Sequence, residues 1–462
     1  MSKKRKVLFI VPDGVGIRNY LYSKIISYLK EESDIIIWSP LPKEAFENVE
    51  RLHNISIDYK KINLVRESFF SRLYREATTY ARLIHNSKIK NNSTILSNWR
   101  PSKYNFKVKL LYRLAELFGS FLSKNYNQIL KFENKGINEW SDKLVEKYVK
   151  DLELINPVSL FITHQRVVGL MPICLAAKQL NIKSTTAIFS WDNLPKARLC
   201  VRTDIYMVWS QWMKDEMKIY YPEISETRVK LVGTPQFEFY LDENRQVSRD
   251  RFAKQHELDP NRKWVCFSGD DITTSPYDQL FLADVAQSLY SEKKNIQIIF
   301  RRCPVDSSLR YDETLNTFKD FIIPIDPIWN IESETGWAGY FPKYDDTNMQ
   351  INLAYHCSMV INLGSTMALD FATYNKPCLY LNYNPSTQNA WSTKNIYNFQ
   401  HFKSMKNLDA VGWLNSKEDI LKTVLLALQS PEDMAPDRKK WMQLLVLHPI
   451  NQNSINVAKA LV

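Results

Sequence analysis

Short runs of continuous apolar residues alternate with stretches of helical period along most of this chain. Val7–Val11 is unbroken and apolar, and it stops at Pro12-Asp13-Gly14-Val15-Gly16. Helical spacing runs from about Arg18 to Lys30, and Asp34–Trp38 is the next apolar run. Fully apolar strands separated by helices predict a parallel sheet covered on both faces. The rhythm returns at Leu160–Thr163, which ends at His164, and at Thr185–Phe189, which ends before Trp191-Asp192-Asn193. Ile205–Trp209 and Val229–Val232 complete this first set, with helices over Met171–Leu180 and Trp212–Tyr220 and a stop at Gly233-Thr234-Pro235.

A polar, charged stretch over 242–262 precedes a second set of strands: Trp264–Phe267, Ile296–Phe300, Phe321–Ile325, Met359–Leu363 and Pro377–Leu381. Helices are predicted at Leu280–Tyr290, Met349–His356, from Gly364-Ser365-Thr366 to about Tyr374, at Lys417–Leu428 and at Asp437–Leu447. The pattern predicts two tandem Rossmann-like α/β domains. The first covers 1–240, the second 241–430, and a C-terminal helix over 431–462 packs back on the first. In such sheets ligands bind at the carboxyl ends of the strands, so two units in tandem are expected to use the cleft where they face each other.

Between 60 and 150 the pattern changes. Phe69, Phe70, Leu73, Tyr74, Ala77, Tyr80, Ala81 and Ile84 follow helical spacing, as do Leu110, Leu111, Leu114, Leu117, Phe118, Phe121 and Leu122. This stretch holds 19 Lys and Arg against 7 Asp and Glu, so it alone accounts for the formal charge of +11. Two readings stand: a helical insertion with a solvated basic face, or a basic amphipathic surface that lies on an anionic membrane. No nucleic-acid module accompanies the charge, so nucleic acid is not an expected partner. The 462 residues contain no apolar run of the ~20 residues a membrane span needs. The six cysteines include no C-x-x-C pair and read as buried thiols of a reducing compartment, so the expected location is cytoplasmic, at the inner face of the cell membrane if the basic surface binds lipid.

The most informative segment is Val360-Ile361-Asn362-Leu363-Gly364-Ser365-Thr366-Met367-Ala368-Leu369-Asp370, with Pro377 seven residues further on. A strand, a turn of small residues and a helix start form a ready anion site, because free amides and the helix dipole favour negative charge. It resembles the donor-binding segment of GT-B glycosyltransferases and of the related 2-epimerases and polyol-phosphate transferases. The resemblance implies diphosphate binding at Gly364, Ser365 and Thr366 and ribose binding at Asp370. The E-x7-E pair of the retaining branch is missing its first glutamate, where Asn362 stands, which points to an inverting enzyme. The Arg-x-His-Pro signature of the polyol-phosphate relatives meets Arg301-Arg302-Cys303-Pro304, without the histidine. Phe9–Asn19, Ser190–Leu194, Gly233–Phe237 and Ser268–Asp271 resemble bacterial glycosyltransferase-like proteins of surface-polysaccharide synthesis.

The resemblance therefore implies sugar transfer from a nucleotide donor to a glycan or lipid-linked acceptor. The candidate donor-binding residues are Gly14, Gly16, Arg18, Gly269, Asp270, Arg301, Arg302, Gly364, Ser365, Thr366 and Asp370. An arginine at the end of the second domain's Ile296–Phe300 strand would neutralise the leaving diphosphate. Neither a metal nor another cofactor is expected, because Asp270-Asp271 and Asp345-Asp346 are adjacent pairs that need not converge on one cation. An inverting mechanism needs a base, and Asp13, His164 and Asp192 all end strands of the first domain. Asp13 leads because it lies in the glycine-flanked first loop. The alternatives are a non-hydrolysing nucleotide-sugar 2-epimerase, a polyol-phosphate transferase and a scaffold that has lost the chemistry.

Overall fold

The computed structural model describes residues 4–101, 105–331, 339–385 and 391–462. The chain forms two compact units. The first comprises Met1–Pro235, Phe399–His401 and Leu445–Val462, and the second Gln236–Asn398 and Phe402–Leu444. The break after Pro235 lies a few residues before the expected boundary at 240, and of the expected C-terminal segment only the residues from Leu445 onward belong to the first unit.

The first unit is built on a seven-stranded parallel sheet. Its strands are β1 (Arg5–Ile10), β2 (Ser33–Ser39), β3 (Asp58–Lys61), β4 (Ser159–Ile162), β5 (Lys183–Ala187), β6 (Ile205–Val208) and β7 (Val229–Leu231), in the order β3-β2-β1-β4-β5-β6-β7. Val7, Leu8, Phe9 and Ile10 are wholly buried, as expected of a central strand covered on both faces. The order reverses direction between β1 and β4, which makes the ends of these two strands the switch point where doubly wound sheets bind ligands.

The second unit repeats the plan with β8 (Lys263–Ser268), β9 (Ile296–Arg301), β10 (Ile322–Pro324), β13 (Met359–Asn362), β14 (Cys378–Leu381) and β15 (Gly412–Leu414). A separate antiparallel hairpin joins β11 (Trp329–Ile331) to β12 (Tyr340–Pro342). The parallel order is β10-β9-β8-β13-β14-β15, and its switch point falls between β8 and β13. The fold is thus that of two Rossmann-like domains, as the strand pattern predicts.

The expected helix from Arg18 to Lys30 is broken. Ile17–Leu21 forms a π-helical turn and a separate short helix covers Ile25–Leu29. Among the described residues the insertion carries four α-helices: Phe69–Lys90, Phe106–Leu122, Tyr126–Asn138 and Asp142–Ile155. Ser68 and Asn105 cap the first two by accepting from the amides of Ser71 and Val108, and Asn91 ends the first in a left-handed conformation. The first two helices pack closely through Gly119, where a Cβ would meet the Ala77 carbonyl oxygen at 2.7 Å.

Candidate active site

The loop after β1 and the loop after β4 meet. Val7–Ile10 pairs in register with Ser159–Ile162, so residues just past both strand ends are neighbours across 151 positions of sequence. Asp13 has extended backbone, caps the turn Gly14–Gly16 and accepts from the Gly16 amide at 3.1 Å. Gly16 is required by this approach: a Cβ there would lie 2.3 Å from the Thr163 hydroxyl oxygen. The other oxygen of the Asp13 carboxylate stands 2.5 Å from His164 Nδ1.

A carboxylate only accepts, so this contact requires the proton on Nδ1, and in the neutral imidazole the Nε2 lone pair is then free. Nε2 is buried and has no hydrogen-bond partner. The Phe189 ring lies against the imidazole at a centroid distance of 4.0 Å. Burial works to raise the Asp13 pKa, but the histidine and the Gly16 and Val15 amides outweigh it and hold the carboxyl below its ordinary range. The pair is therefore a carboxylate that orients an imidazole whose outer nitrogen lacks a partner.

Asp192 is differently engaged. Its carboxylate accepts from Ser190 Oγ at 2.6 Å and Asn193 Nδ2 at 2.8 Å and forms a short ion pair with Lys196. Burial is again outweighed, by Lys196 and His401, and the pKa falls far below the usual carboxylate range. A carboxylate so firmly ionised is a weak proton acceptor. Gln165, beside His164, ties this loop to the dyad's loop through Asn193 Oδ1 at 3.0 Å and the Phe189 amide at 3.1 Å. Arg18 is half-buried, near the start of the Ile17–Leu21 turn.

In the second unit the switch point joins the loops after β8 and β13. Gly269 is tight against Tyr311 and Asp278, with the Tyr311 hydroxyl 3.0 Å from where a Cβ would stand. The Asp270 amide donates to Asp278 at 3.1 Å, and Arg310 donates to the Asp270 carbonyl at 2.6 Å. Asp270 Oδ2 is buried with no partner, and burial together with Asp278 and Asp271 pushes this carboxyl's pKa well up, favouring the neutral acid. Tyr380 connects the two loops: its hydroxyl donates to the Ser365 carbonyl, and it lies within electrostatic reach of Asp270.

Gly364 adopts a φ of +75°, and the Phe402 ring lies 2.7 Å from where its Cβ would be. This position therefore needs glycine on both counts. The Ser365 amide is already taken by Asn362 Oδ1 at 2.9 Å, and Ser365 Oγ weakly receives the Met367 amide at 3.4 Å. Thr366 occupies the cap position of the Met367–Thr373 helix without a side-chain capping bond. Asp370 is buried and accepts from Gln350 at 3.0 Å.

The two arginines at the end of β9 are occupied. Arg301 is buried against Asp346 at 2.5 Å, and Arg302 donates to the Ser308 carbonyl at 2.6 Å. The Arg301 charge is met by Asp346 within the second unit, whereas the acid paired with Arg302 is exposed Asp326 at 3.7 Å. Among the described residues no group of three or more His, Cys, Asp or Glu stands ready to hold a metal ion, and no helix is long and apolar enough to cross a membrane.

No family profile and no curated protein matches the chain in sequence. Solved structures match it in fold. A putative UDP-N-acetylglucosamine 2-epimerase from Listeria monocytogenes superposes with a TM-score of 0.54 at 9% identity, over 98% of this chain and 95% of that one. A glycosyltransferase from Rickettsia africae gives 0.51 at 10%, over 99% of both. The wall teichoic acid polymerase TagF gives 0.52 at 9%, over 99% of this chain and 88% of its own. At this identity the likeness shows the fold: a GT-B arrangement common to nucleotide-sugar epimerases and glycosyltransferases.

Proposed function

We propose that this protein is a glycosyltransferase that uses a nucleotide-activated sugar, with His164 as the base and Asp13 as its positioning carboxylate. The observation that carries the reading is the buried His164 Nε2 without a partner while Nδ1 is held by Asp13. A buried nitrogen left unpaired costs about 1–3 kcal/mol, and a substrate hydroxyl that donates to Nε2 would recover it. The hydroxyl proton then passes to Nε2, the oxygen bonds to the anomeric carbon, and the bond from that carbon to the nucleotide diphosphate breaks with its electron pair on the diphosphate. The Gly269-Asp270 and Gly364–Thr366 loops, which share Tyr380, are the proposed donor site. This chemistry calls for no metal.

The fold fits a 2-epimerase equally well, and the buried Asp270 carboxyl, unpaired at Oδ2, is the observation in favour of that second reading. Incubating the protein with nucleotide sugars and no acceptor separates the two. Transfer predicts an unchanged donor apart from slow hydrolysis, whereas conversion to the C2 epimer would establish the epimerase.

The acceptor side is proposed to lie at an anionic membrane. The Phe106–Leu122 helix buries Leu111, Tyr112, Ala115, Gly119 and Leu122 on one face. On the opposite face Phe106, Leu117 and Phe121 are 78%, 67% and 71% exposed, beside exposed Lys107, Lys109 and Arg113. Each large apolar side chain moved out of water contributes about 1.5–3 kcal/mol, and each cation near an anionic surface about 1 kcal/mol. Replacing Phe106, Leu117 and Phe121 together by serine is expected to weaken binding to phosphatidylglycerol vesicles more than about tenfold with the melting temperature unchanged. Equal wild-type binding to phosphatidylcholine vesicles would remove the electrostatic part of the proposal.

A further inference from the structure

The loop that carries His164 continues into the wall of an open cavity of about 670 Å³ in the first unit. That volume lies in the ~300–1,000 Å³ range of small-ligand sites. The wall is arginine-rich: Arg66, Arg72 and Arg166 line it together with the Glu67–Arg75 pair. Glu67 is used up, since it accepts two hydrogen bonds from Arg75 at 2.7 and 2.8 Å. Arg72 lies over the Tyr112 ring. Arg66 and Arg166 are exposed, and neither has a hydrogen bond or an ion pair among the described residues.

Asp192 is the acid within electrostatic reach of Arg166, and it is already paired with Lys196, while Arg100 and the Glu76-paired Arg198 add positive charge within the same reach. The Phe69–Lys90 helix begins beside the cavity with Ser68 as its cap and no acid in its first turn. The geometry is fixed by backbone contact: a Cβ at Gly169 would come within 2.8 Å of the Val65 carbonyl oxygen, which locks the Arg66 segment against the Arg166 loop.

We propose that Arg66, Arg72 and Arg166 form an anion subsite that holds a phosphate ester of the acceptor, two residues along the chain from the base. Guanidinium forks match phosphate oxygens, and among the described residues no acid of the cavity pairs with Arg66, Arg72 or Arg166, of which Arg72 alone has a partner, the Tyr112 ring and its hydroxyl at 3.4 Å. The inference deepens the transferase reading and rests on His164 being its base. A phosphate ester reaches such a site either as a soluble sugar or polyol phosphate or as a lipid headgroup.

Phenylglyoxal labelling of the full-length protein, read by peptide mapping, reports each arginine separately. Glycerol phosphate represents the soluble ester and monomeric dihexanoyl-phosphatidylglycerol the headgroup. Glycerol and sodium chloride at matched ionic strength are the controls. Labelling of Arg66 and Arg166 is expected to slow about tenfold with one of the two esters, which identifies the source, while exposed Arg251 of the second unit stays unprotected. Arg166→Gln should abolish the protection of Arg66. Labelling that is the same with both esters and both controls overturns the subsite. His164→Ala separates the two ideas. Protection retained in a variant that still transfers sugar removes the base and keeps the subsite. Protection already absent in the wild-type protein, beside a loss of transfer in His164→Ala, removes the subsite and keeps the base.

Discussion

His164→Ala is expected to lower kcat about 10²–10⁴-fold, the usual contribution of a positioned general base, with the donor KM nearly unchanged and the melting temperature lowered because the Asp13 carboxylate loses its partner. The side chain removed carries an unpaired buried nitrogen, so little native hydrogen bonding is lost beyond the Asp13 contact. Asp13→Asn keeps its one oxygen for the Gly16 amide and turns an N–H toward His164 Nδ1 in place of the second carboxylate oxygen. An N–H facing Nδ1 makes that nitrogen the acceptor and favours the tautomer with the proton on Nε2, which cannot accept. Asp13→Asn should therefore reduce kcat by no more than His164→Ala does. The reverse order, with His164→Ala active and Asp13→Asn dead, would return the role of base to Asp13. The Asp13 pKa is lowered, so its contribution to stability is complete above the ordinary carboxylate range and disappears only as pH falls through the depressed value. The dyad is thus assembled at neutral pH, and kinetic effects of the two variants there report on catalysis rather than on assembly.

Much of this site was legible before any coordinates. Continuous apolar runs identify β1, β4, β8 and β13 because these strands are buried on both faces, and Asp13, His164, Asp270 and Gly364 follow from being the residues just past their ends. The pairing was not legible. Asp13 and His164 appear as rival bases in a linear reading, because nothing local records that Val7–Ile10 lies in register with Ser159–Ile162. Arg301 reads as a free cation at a strand end for the same reason: its partner Asp346 is 45 positions away. The edge strand β3, Asp-Tyr-Lys-Lys, escapes pattern reading because it is only half-buried and carries no apolar run. Gly364 reads as a phosphate-contacting turn residue, but its left-handed backbone and the Phe402 ring beneath it supply a structural need that the turn sequence alone does not reveal.

Arg82→Met is expected to cost about 3–5 kcal/mol, the largest stability loss of any substitution considered. Arg82 lies in the Phe69–Lys90 helix with its side chain almost wholly buried. It bonds Glu133 at 2.9 Å and Glu223 at 2.8 Å, and its guanidinium stacks over the Tyr221 ring at 4.9 Å. Glu133 belongs to the insertion and Glu223 follows the Gln211–Tyr220 helix of the sheet layer, so one guanidinium joins the insertion to the α/β core. Methionine fills the volume and leaves two carboxylates to share Arg202, which lies 2.5 Å from Glu133 but 3.3 Å from Glu223. For a unit of this size the loss corresponds to a fall of roughly 6–20 °C in melting temperature. Lysine should recover little, since a single ammonium cannot serve both acids in the planar fork geometry. The acid response supplies an independent readout. Burial raises the Glu133 pKa, but Arg202 and Arg82 bring it down to about 2, so its stabilisation is present above the unfolded value and vanishes as pH falls through 2. Without Arg82 the folded value rises, and the loss begins at higher pH. Denaturation midpoints measured at neutral pH and near pH 4 should therefore diverge more in Arg82→Met than in wild type. Parallel curves with a wild-type midpoint would mean that the buried network does not hold the insertion to the sheet, and that apolar packing of the helices alone does.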